Sequence, residues 1–303
     1  KYTVNFSVRV PMAKLQRPKK DAIGIDIGFR QLQGGVIRAA TIGGTAKNFA
    51  FEKVELSQDY MKRMNHIEDL QSELDDSATK LGVAIIPLLK AGSVLPETHD
   101  LYNFIKGIVS APKNVTMSFE KAYKLGSWLQ REPDTLPKAV ETKVAEWWYK
   151  NKRSYREMHN LRKKTLAWRK EQYRILAHRL VGYGLPIGIE AIDLSKFAEI
   201  KDKDNELSDK ARSQRFLVSN SELINSIKNA GDREGVKVIA VSAKNTSRKC
   251  SACGNVNKEL KAELEWTCPK CGVIHDRDEN ASINIAHQAL EKITQPSLKK
   301  AAE

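Results

Sequence analysis

Three acidic residues stand where an acid is costly or conspicuous. Asp26 lies inside Ile23-Gly24-Ile25-Asp26-Ile27-Gly28, an otherwise apolar run. Burying an isolated carboxylate there is expensive unless it binds something. Glu190 closes the apolar run Leu185 to Ile189 and presents the same anomaly. Asp278 falls in His275-Asp276-Arg277-Asp278-Glu279-Asn280-Ala281, at the start of the last expected helix. Taken singly, each also reads as a strand-end charge or a helix cap. As a set they fit a different chemistry. Cleaving a phosphodiester with two divalent cations needs carboxylates from separate elements converging on ions about 3.5–4 Å apart, one ion activating water and one stabilising the leaving oxygen.

All four cysteines fall in a second constellation, Cys250-Ser251-Ala252-Cys253 and Cys268-Pro269-Lys270-Cys271. Two Cys-x-x-Cys pairs at this separation match a tetrahedral site of four thiolates for one structural Zn²⁺. Each pair sets two thiolates on one tight knuckle, and Gly254 and Gly272 supply the turn after it. Disulfides are the alternative, and the expected intracellular setting argues against them.

The elements that must position these residues follow from the hydrophobic pattern. Strands are expected at 22–28, 32–42, 49–56, 185–191 and 236–241. With Asp26 and Glu190 on neighbouring strands, they predict a mixed sheet in an α/β fold. A helix carries Met61, Met64, Ile67, Leu70 and Leu74 on one face. Short helices are expected near Leu101 to Val109 and Ser118 to Leu129, with Pro87, Pro96, Pro112, Pro133 and Pro137 as breaks. A long helix should run from about Lys138 to Val181, with Met158, Leu161, Trp168, Leu176 and Leu180 on its stripe and Thr165 and Gln172 filling the intermediate steps. A polar loop around Lys201 to Asn205 precedes a helix that turns Phe216, Leu223, Ile224 and Ile227 inward. The cysteine unit spans Asn245 to His275, and a final helix ends before Pro296.

The 303 residues carry a formal net charge of +14, which asks for a polyanionic partner, and nucleic acid is the commonest. Basic residues crowd the long helix, Arg162, Lys163 and Arg169 among them, against few acids. That one-sidedness marks a nucleic-acid face more than an ordinary solvated one. Trp147, Trp148, Tyr149 and Tyr155 read as core or packing residues rather than base-stacking platforms. The longest apolar run, Val83 to Leu89, is far too short to span a bilayer, and no secretory pattern opens the chain. These features predict an intracellular protein. Residue 1 is Lys and a strand-like segment, Tyr2 to Val10, starts at once, so the chain reads as a piece of a larger protein.

These motifs resemble a known family. Ile23-Gly24-Ile25-Asp26-Ile27-Gly28 looks like the first RuvC motif of type V CRISPR effectors and TnpB nucleases, and Ile187-Gly188-Ile189-Glu190 looks like the second. Asn245-Thr246-Ser247-Arg248-Lys249-Cys250-Ser251-Ala252-Cys253-Gly254 is similar to the family's Thr-Ser-x-x-Cys-Ser-x-Cys-Gly signature. Asp276-Arg277-Asp278-Glu279-Asn280-Ala281 resembles the third motif, and a ribbon placed directly before it is the most specific feature. The match covers roughly 20–56 and 180–290 by motif position.

The resemblance implies an RNase H-like (RuvC) mixed sheet with a helical insert and a small zinc ribbon. The parts would be 1–20, the end of a preceding wedge-like domain; 21–244, the nuclease core with its insert at 57–182; 245–275, the ribbon; and 276–303, the C-terminal motif and helix. It implies a Mg²⁺-dependent, RNA-guided DNA endonuclease of a prokaryotic cytoplasm, with guide RNA and target DNA as partners. Asp26, Glu190 and Asp278 carry over as the catalytic ligands of two Mg²⁺ (or Mn²⁺) ions. Cys250, Cys253, Cys268 and Cys271 carry over as the Zn²⁺ ligands of a module that helps load DNA. Arg162, Lys163, Arg169, Arg248 and Arg277 are the expected nucleic-acid contacts. Arg277 and Asn280 take support roles, and His275 reads as a bystander to the acids. A guided DNA binder with weak or no cleavage and a transposon-encoded TnpB-type nuclease are the competing readings. A Holliday-junction resolvase is disfavoured by the ribbon before the third motif.

Overall fold

The computed structural model describes residues 20–92, 95–110, 117–191, 216–261 and 263–294. The segment expected as a strand at Tyr2 to Val10 and the polar loop at Lys201 to Asn205 lie outside them. Among the described residues, no helix is long and apolar enough to cross a membrane.

The sheet has five strands: β1 (Ile23–Gln31), β2 (Ile37–Gly44), β3 (Glu52–Leu56), β4 (Ile187–Glu190) and β5 (Val238–Val241), in the order β3-β2-β1-β4-β5. β1 pairs antiparallel with β2 and parallel with β4, and β5 runs parallel to β4. The sheet is therefore mixed, as the apolar runs predict. Its first hairpin differs from the expected 22–28 and 32–42. β1 continues to Gln31 through an irregularity between Ile27 and Arg30, and β2 starts only at Ile37. The reason is the turn. Gly34 and Gly35 both take φ of 79°, and Leu32 N–H donates to the Val36 carbonyl, so β1 ends and β2 begins later than the apolar pattern suggests.

A strand alternates its faces, so Ile23, Ile25 and Ile27 share one side of β1 and are all buried, while Gly24 and Asp26 share the other. Gly24 pairs with Gly188, and Ile25 with Ile189, so Asp26 and Glu190 follow at the same level of two adjacent parallel strands. The C-terminal helix α6 (Arg277–Thr294) lies across β1, β2 and β4 on the glycine side. A Cβ on Gly24 would run into the Ser282 carbonyl and stand 2.5 Å from the Ala286 nitrogen. On Gly188 it would stand 2.8 Å from the Ile285 carbonyl oxygen and 2.9 Å from Ala289 Cβ. The glycine two residues before each acid is thus the groove in which α6 rests, and that seat brings Asp278 to the acids' face. Gly24→Ala meets backbone rather than a pliable side chain. It is expected to lower unfolding free energy by about 3 kcal/mol or more, beyond the usual cost of overpacking. A chemical-denaturation midpoint unchanged from wild type would show that α6 does not sit there.

The remaining helices are α1 (Gln58–Ala91), α2 (Tyr102–Val109), α3 (Phe119–Leu129), α4 (Lys138–Gly182) and α5 (Asn220–Glu234). The described residues form two compact units, one taking in the chain up to Met61 and from Ala167 onward, the other Lys62–Leu166. In the second unit, Trp147 Nε1 donates to Ser77 Oγ at 2.7 Å, and Tyr123 stacks on Tyr155 with centroids 3.6 Å apart. Trp147 and Trp148 are buried there, and Gly126 leaves room for the Trp148 ring. Pro87 does not break α1. The acceptor that Pro87 leaves without an N–H belongs to Val83, which is 73% exposed, so water can satisfy it.

The buried stripe of α4 also corrects the expectation. Met158, Thr165, Leu176 and Leu180 are buried, but Arg169 and Tyr173 take the positions expected of Trp168 and Gln172. Trp168 is 38% exposed and packs at the edge against Tyr60. An apolar-period reading passes over an arginine, yet this one is fully engaged. Its guanidinium donates to the Leu217 carbonyl at 2.7 Å, to Tyr60 Oη at 3.1 Å and to Glu222 at 3.0 Å. Tyr60 and Tyr173 hydroxyls cap the carbonyls of Leu217 and Val218, so three side chains satisfy the turn that enters α5. Phe216, expected inside, is 74% exposed because that turn carries it outward, whereas Leu223 and Ile227 are buried.

Candidate functional site

Asp26, Glu190 and Asp278 line one open cleft of about 940 Å³ together with Arg30, Arg38, Thr246, Ser247 and Arg277. β1 supplies Asp26, the end of β4 supplies Glu190, and the first turn of α6 supplies Asp278. The double-acid spelling of the last motif has a division of labour. Asp276 Oδ1 accepts from the Asp278 and Glu279 N–H groups at 2.9 and 3.0 Å and so caps α6. Lys53 reaches across from β3 to pair with Asp276 and Glu279 at 3.3 and 3.2 Å. With the cap made by Asp276, the Asp278 carboxyl is left to face the cleft.

The electrostatics of the cleft are those of a crowded anion site. Burial, then the neighbouring Glu190 and Asp278 carboxylates, push the Asp26 carboxyl well above the ordinary aspartate range, against the pull of Arg277 and Arg30. Glu190 is likewise raised by burial, offset by the Thr246 hydroxyl, which donates to Glu190 Oε1 at 2.6 Å. Asp278 is paired with two arginines. Its Oδ2 accepts from Arg30 Nη1 at 3.1 Å and from Arg38 Nη1 at 3.5 Å. An all-oxygen donor set of this charge suits a hard divalent cation.

The thiols are gathered more tightly. Cys250, Cys253, Cys268 and Cys271 place all four sulfurs within 4.8 Å of one another, the one such group of three or more ligand atoms among the described residues. The Cys250–Cys271 and Cys253–Cys268 separations are 3.7 and 3.6 Å. A tetrahedron with Zn–S bonds of about 2.3 Å has edges of about 3.8 Å, so the four sulfurs are close enough together that they could hold one metal ion of that size. The two knuckles match. Gly254 N–H donates to the Cys250 carbonyl and Gly272 N–H to the Cys268 carbonyl, with φ of 76° and 72° at the two glycines. Although burial works against it, backbone N–H groups of Cys271 and Lys270 bring the Cys268 thiol down to about 6, while burial pushes Cys250 up to about 12. His275 is buried with Nε2 3.0 Å from Cys250 Sγ and its ring against Trp266. It therefore belongs to the cysteine unit and not to the acid cleft.

Two buried asparagines of α6 fasten the cysteine unit to the cleft. Asn280 accepts from Ser251 N–H at 2.9 Å and donates to the carbonyls of Ser247 and Lys249. Asn284 donates to the carbonyls of Thr246 and Lys249 at 2.8 and 2.6 Å. The segment so held is the one that presents Thr246 to Glu190.

The Cas12f1-like TNB domain family matches residues 221–285, which include all four cysteines and Asp278. The CRISPR-associated DNA-binding protein Cas12m of Allomeiothermus silvanus is 28% identical over 300 residues, 96% of this chain and 53% of that protein. The CRISPR-associated endodeoxyribonuclease Cas12f1 of Sulfoacidibacillus thermotolerans is 35% identical over 69 residues, 22% of this chain and 16% of that one. These matches support a protein of the type V CRISPR-Cas effector and TnpB kind. The chain spans about half the length of the curated Cas12m relative it matches. It also aligns with the cryo-EM structure of a Cas12f1-sgRNA-target DNA complex at a TM-score of 0.42 and 15% identity, over 93% of this chain and 52% of that one.

The expected nucleic-acid residues have different local settings. Lys163 and Arg248 are exposed. Arg162 is half-buried and bonded to Gln71, and Arg277 lines the acid cleft while donating to the Lys261 carbonyl at 3.3 Å. Arg169 is 6% exposed and committed to Glu222, Tyr60 and the Leu217 carbonyl, so the expectation of a nucleic-acid contact there is corrected. Arg30, Arg38 and Thr246 were not singled out by sequence as parts of the site. Thr246 stands inside a quoted motif and could have been found. Arg30 and Arg38 become neighbours only through the β1–β2 register, where they are direct partners.

Proposed function

We propose that the chain is the RNase H-like (RuvC) nuclease core of an RNA-guided DNA endonuclease, with guide RNA and target DNA as its partners. The observation that carries this is the convergence of Asp26, Glu190 and Asp278, from two adjacent parallel strands and one helix start, on a single open cleft. Two Mg²⁺ (or Mn²⁺) ions held there would activate water and stabilise the leaving oxygen of a DNA phosphodiester. The chain's own contribution is placement. Burial keeps the Asp26 carboxyl away from competing water, Thr246 fixes one oxygen of Glu190 and leaves the other to the cleft, and Arg277 lends positive charge where a phosphate would enter. The four thiolates hold one structural Zn²⁺ in a ribbon at 245–275 that interrupts the core of 21–244, with the insert at 57–182 and the closing helix in 276–303. Lys163, Arg162, Arg248 and Arg277 are the nucleic-acid contacts in this reading, with affinity set mostly by backbone charge and base pairing.

A second reading, a guided DNA binder that cuts weakly or not at all, is favoured by one observation. One oxygen of Asp278, Oδ2, is held by both Arg30 and Arg38. The A. silvanus relative is itself named a DNA-binding protein. Paired cleavage and filter-binding assays on the full-length, guide-loaded protein separate the two. Cleavage in Mg²⁺ or Mn²⁺ with binding alone in Ca²⁺ is expected. Tight binding with no cut in any of the three decides for the binder.

A further inference from the structure

The two arginines on Asp278 are not loose surface side chains that happened on an acid. They face each other across the β1–β2 ladder, directly after the irregularity that follows Ile27. Arg38 is anchored from its other side by Glu55 of β3, which accepts from Nε at 3.4 Å and Nη2 at 3.3 Å. Its side chain is only 15% exposed, and Asp278 itself only 13%. Both guanidinia converge on the same oxygen, Oδ2. An oxygen bridged by two cations has little charge left for a third, and a divalent ion beside it is repelled by both. The three carboxyls line the cleft but are not drawn together as closely as the thiols are.

We infer that Arg30 and Arg38 are built-in competitors for the divalent cation, holding Asp278 in an ion pair so that metal loads poorly until those guanidinia are drawn off by another anion, such as a nucleic-acid phosphate. The inference rests on the reading of the cleft as a divalent-cation site. Guanidinium forks suit phosphate as well as carboxylate, so the same pair can change partner without leaving the cleft.

The test is Mn²⁺ binding to the full-length protein without guide or DNA, followed by the electron paramagnetic resonance signal of free Mn²⁺. Wild type is compared with R30Q/R38Q, R30K/R38K and D26N. The expected result is an affinity at least about tenfold tighter in the Gln pair, about one decade for the loss of two partly screened charges. The Lys pair, which keeps the charge, should stay near wild type, and D26N should remove the tight site from each background. If the Gln pair binds as wild type does while D26N still weakens both, the competition is overturned and the cleft remains a metal site. If the Lys pair gains as much as the Gln pair, side-chain packing and not charge is responsible, which also overturns it. If no D26N-sensitive binding exists in any variant, the metal reading itself falls. Should the double Gln variant fail to fold, R30Q alone, at the more exposed arginine, is expected to show about a threefold gain.

Discussion

Asp26→Asn is expected to abolish DNA cleavage by the full-length, guide-loaded protein, by about 10³-fold or more, while guided binding stays within about twofold. Three decades in rate correspond to about 4 kcal/mol of barrier, a reasonable cost for removing one shared anionic ligand from a two-cation site. Binding has no reason to fall, because it draws on pairing and on basic residues, and the substitution removes a charge that repels DNA. A second effect separates this from simple damage. The Asp26 carboxyl is raised above its unfolded value of 3.8 by burial, with Glu190 and Asp278 adding to the rise. Below the unfolded value the group is protonated in both states and has no effect. As pH rises from there through the raised folded value, the unfolded chain gains ionisation that the folded chain resists, and stability is lost. In buffer free of Mg²⁺ and Mn²⁺, Asp26→Asn should therefore melt higher than wild type at pH 8, with the gap closing toward pH 4. Melting below wild type at pH 8 would mean that Asp26 is not under the electrostatic load assigned to it.

The second large effect is expected at the thiols. Elemental analysis of the purified protein should return close to one zinc per chain, and Cys268→Ser or removal of the metal by a strong chelator should unfold the ribbon. The segment around the cysteines has a small core of its own, Leu260 and Trp266 with the buried sulfurs of Cys250 and Cys268. Structural Zn²⁺ contributes about 10–16 kcal/mol to folding units of this kind, far more than so few apolar side chains supply. Hydrogen exchange should become fast over 245–276 while the β1 and β4 amides stay protected, since the sheet's own pairing does not pass through the ribbon. The boundary between fast and slow amides should fall at Thr246 and the first turns of α6, where Asn280 and Asn284 hold the segment that leads into the cysteines. Absence of zinc under non-chelating conditions, or a Cys250–Cys253 disulfide, would remove the basis for this expectation.

What the sequence by itself determined is what is local or periodic. An acid in an apolar strand is conspicuous because strands alternate and burial of charge is costly, so Asp26 and Glu190 stand out without any coordinates. Cys-x-x-Cys pairs are equally legible, since both sulfurs of a knuckle are fixed by one turn. What only the tertiary structure decided is what depends on register, on helix seating and on which polar groups end up inside. The pairing of Arg30 with Arg38, and of both with Asp278, requires the hairpin to close at Gly34 and Gly35 and requires α6 to lie in the groove left by Gly24 and Gly188. Nothing within either segment announces it. The inward turn of Arg169 is of the same kind. Its burial is tolerable only because Glu222, Tyr60 and the Leu217 carbonyl, between 48 and 109 residues away along the chain, are brought to meet it. A charge reads as surface until its partners are in view, and partners that distant are supplied by the fold and not by the pattern.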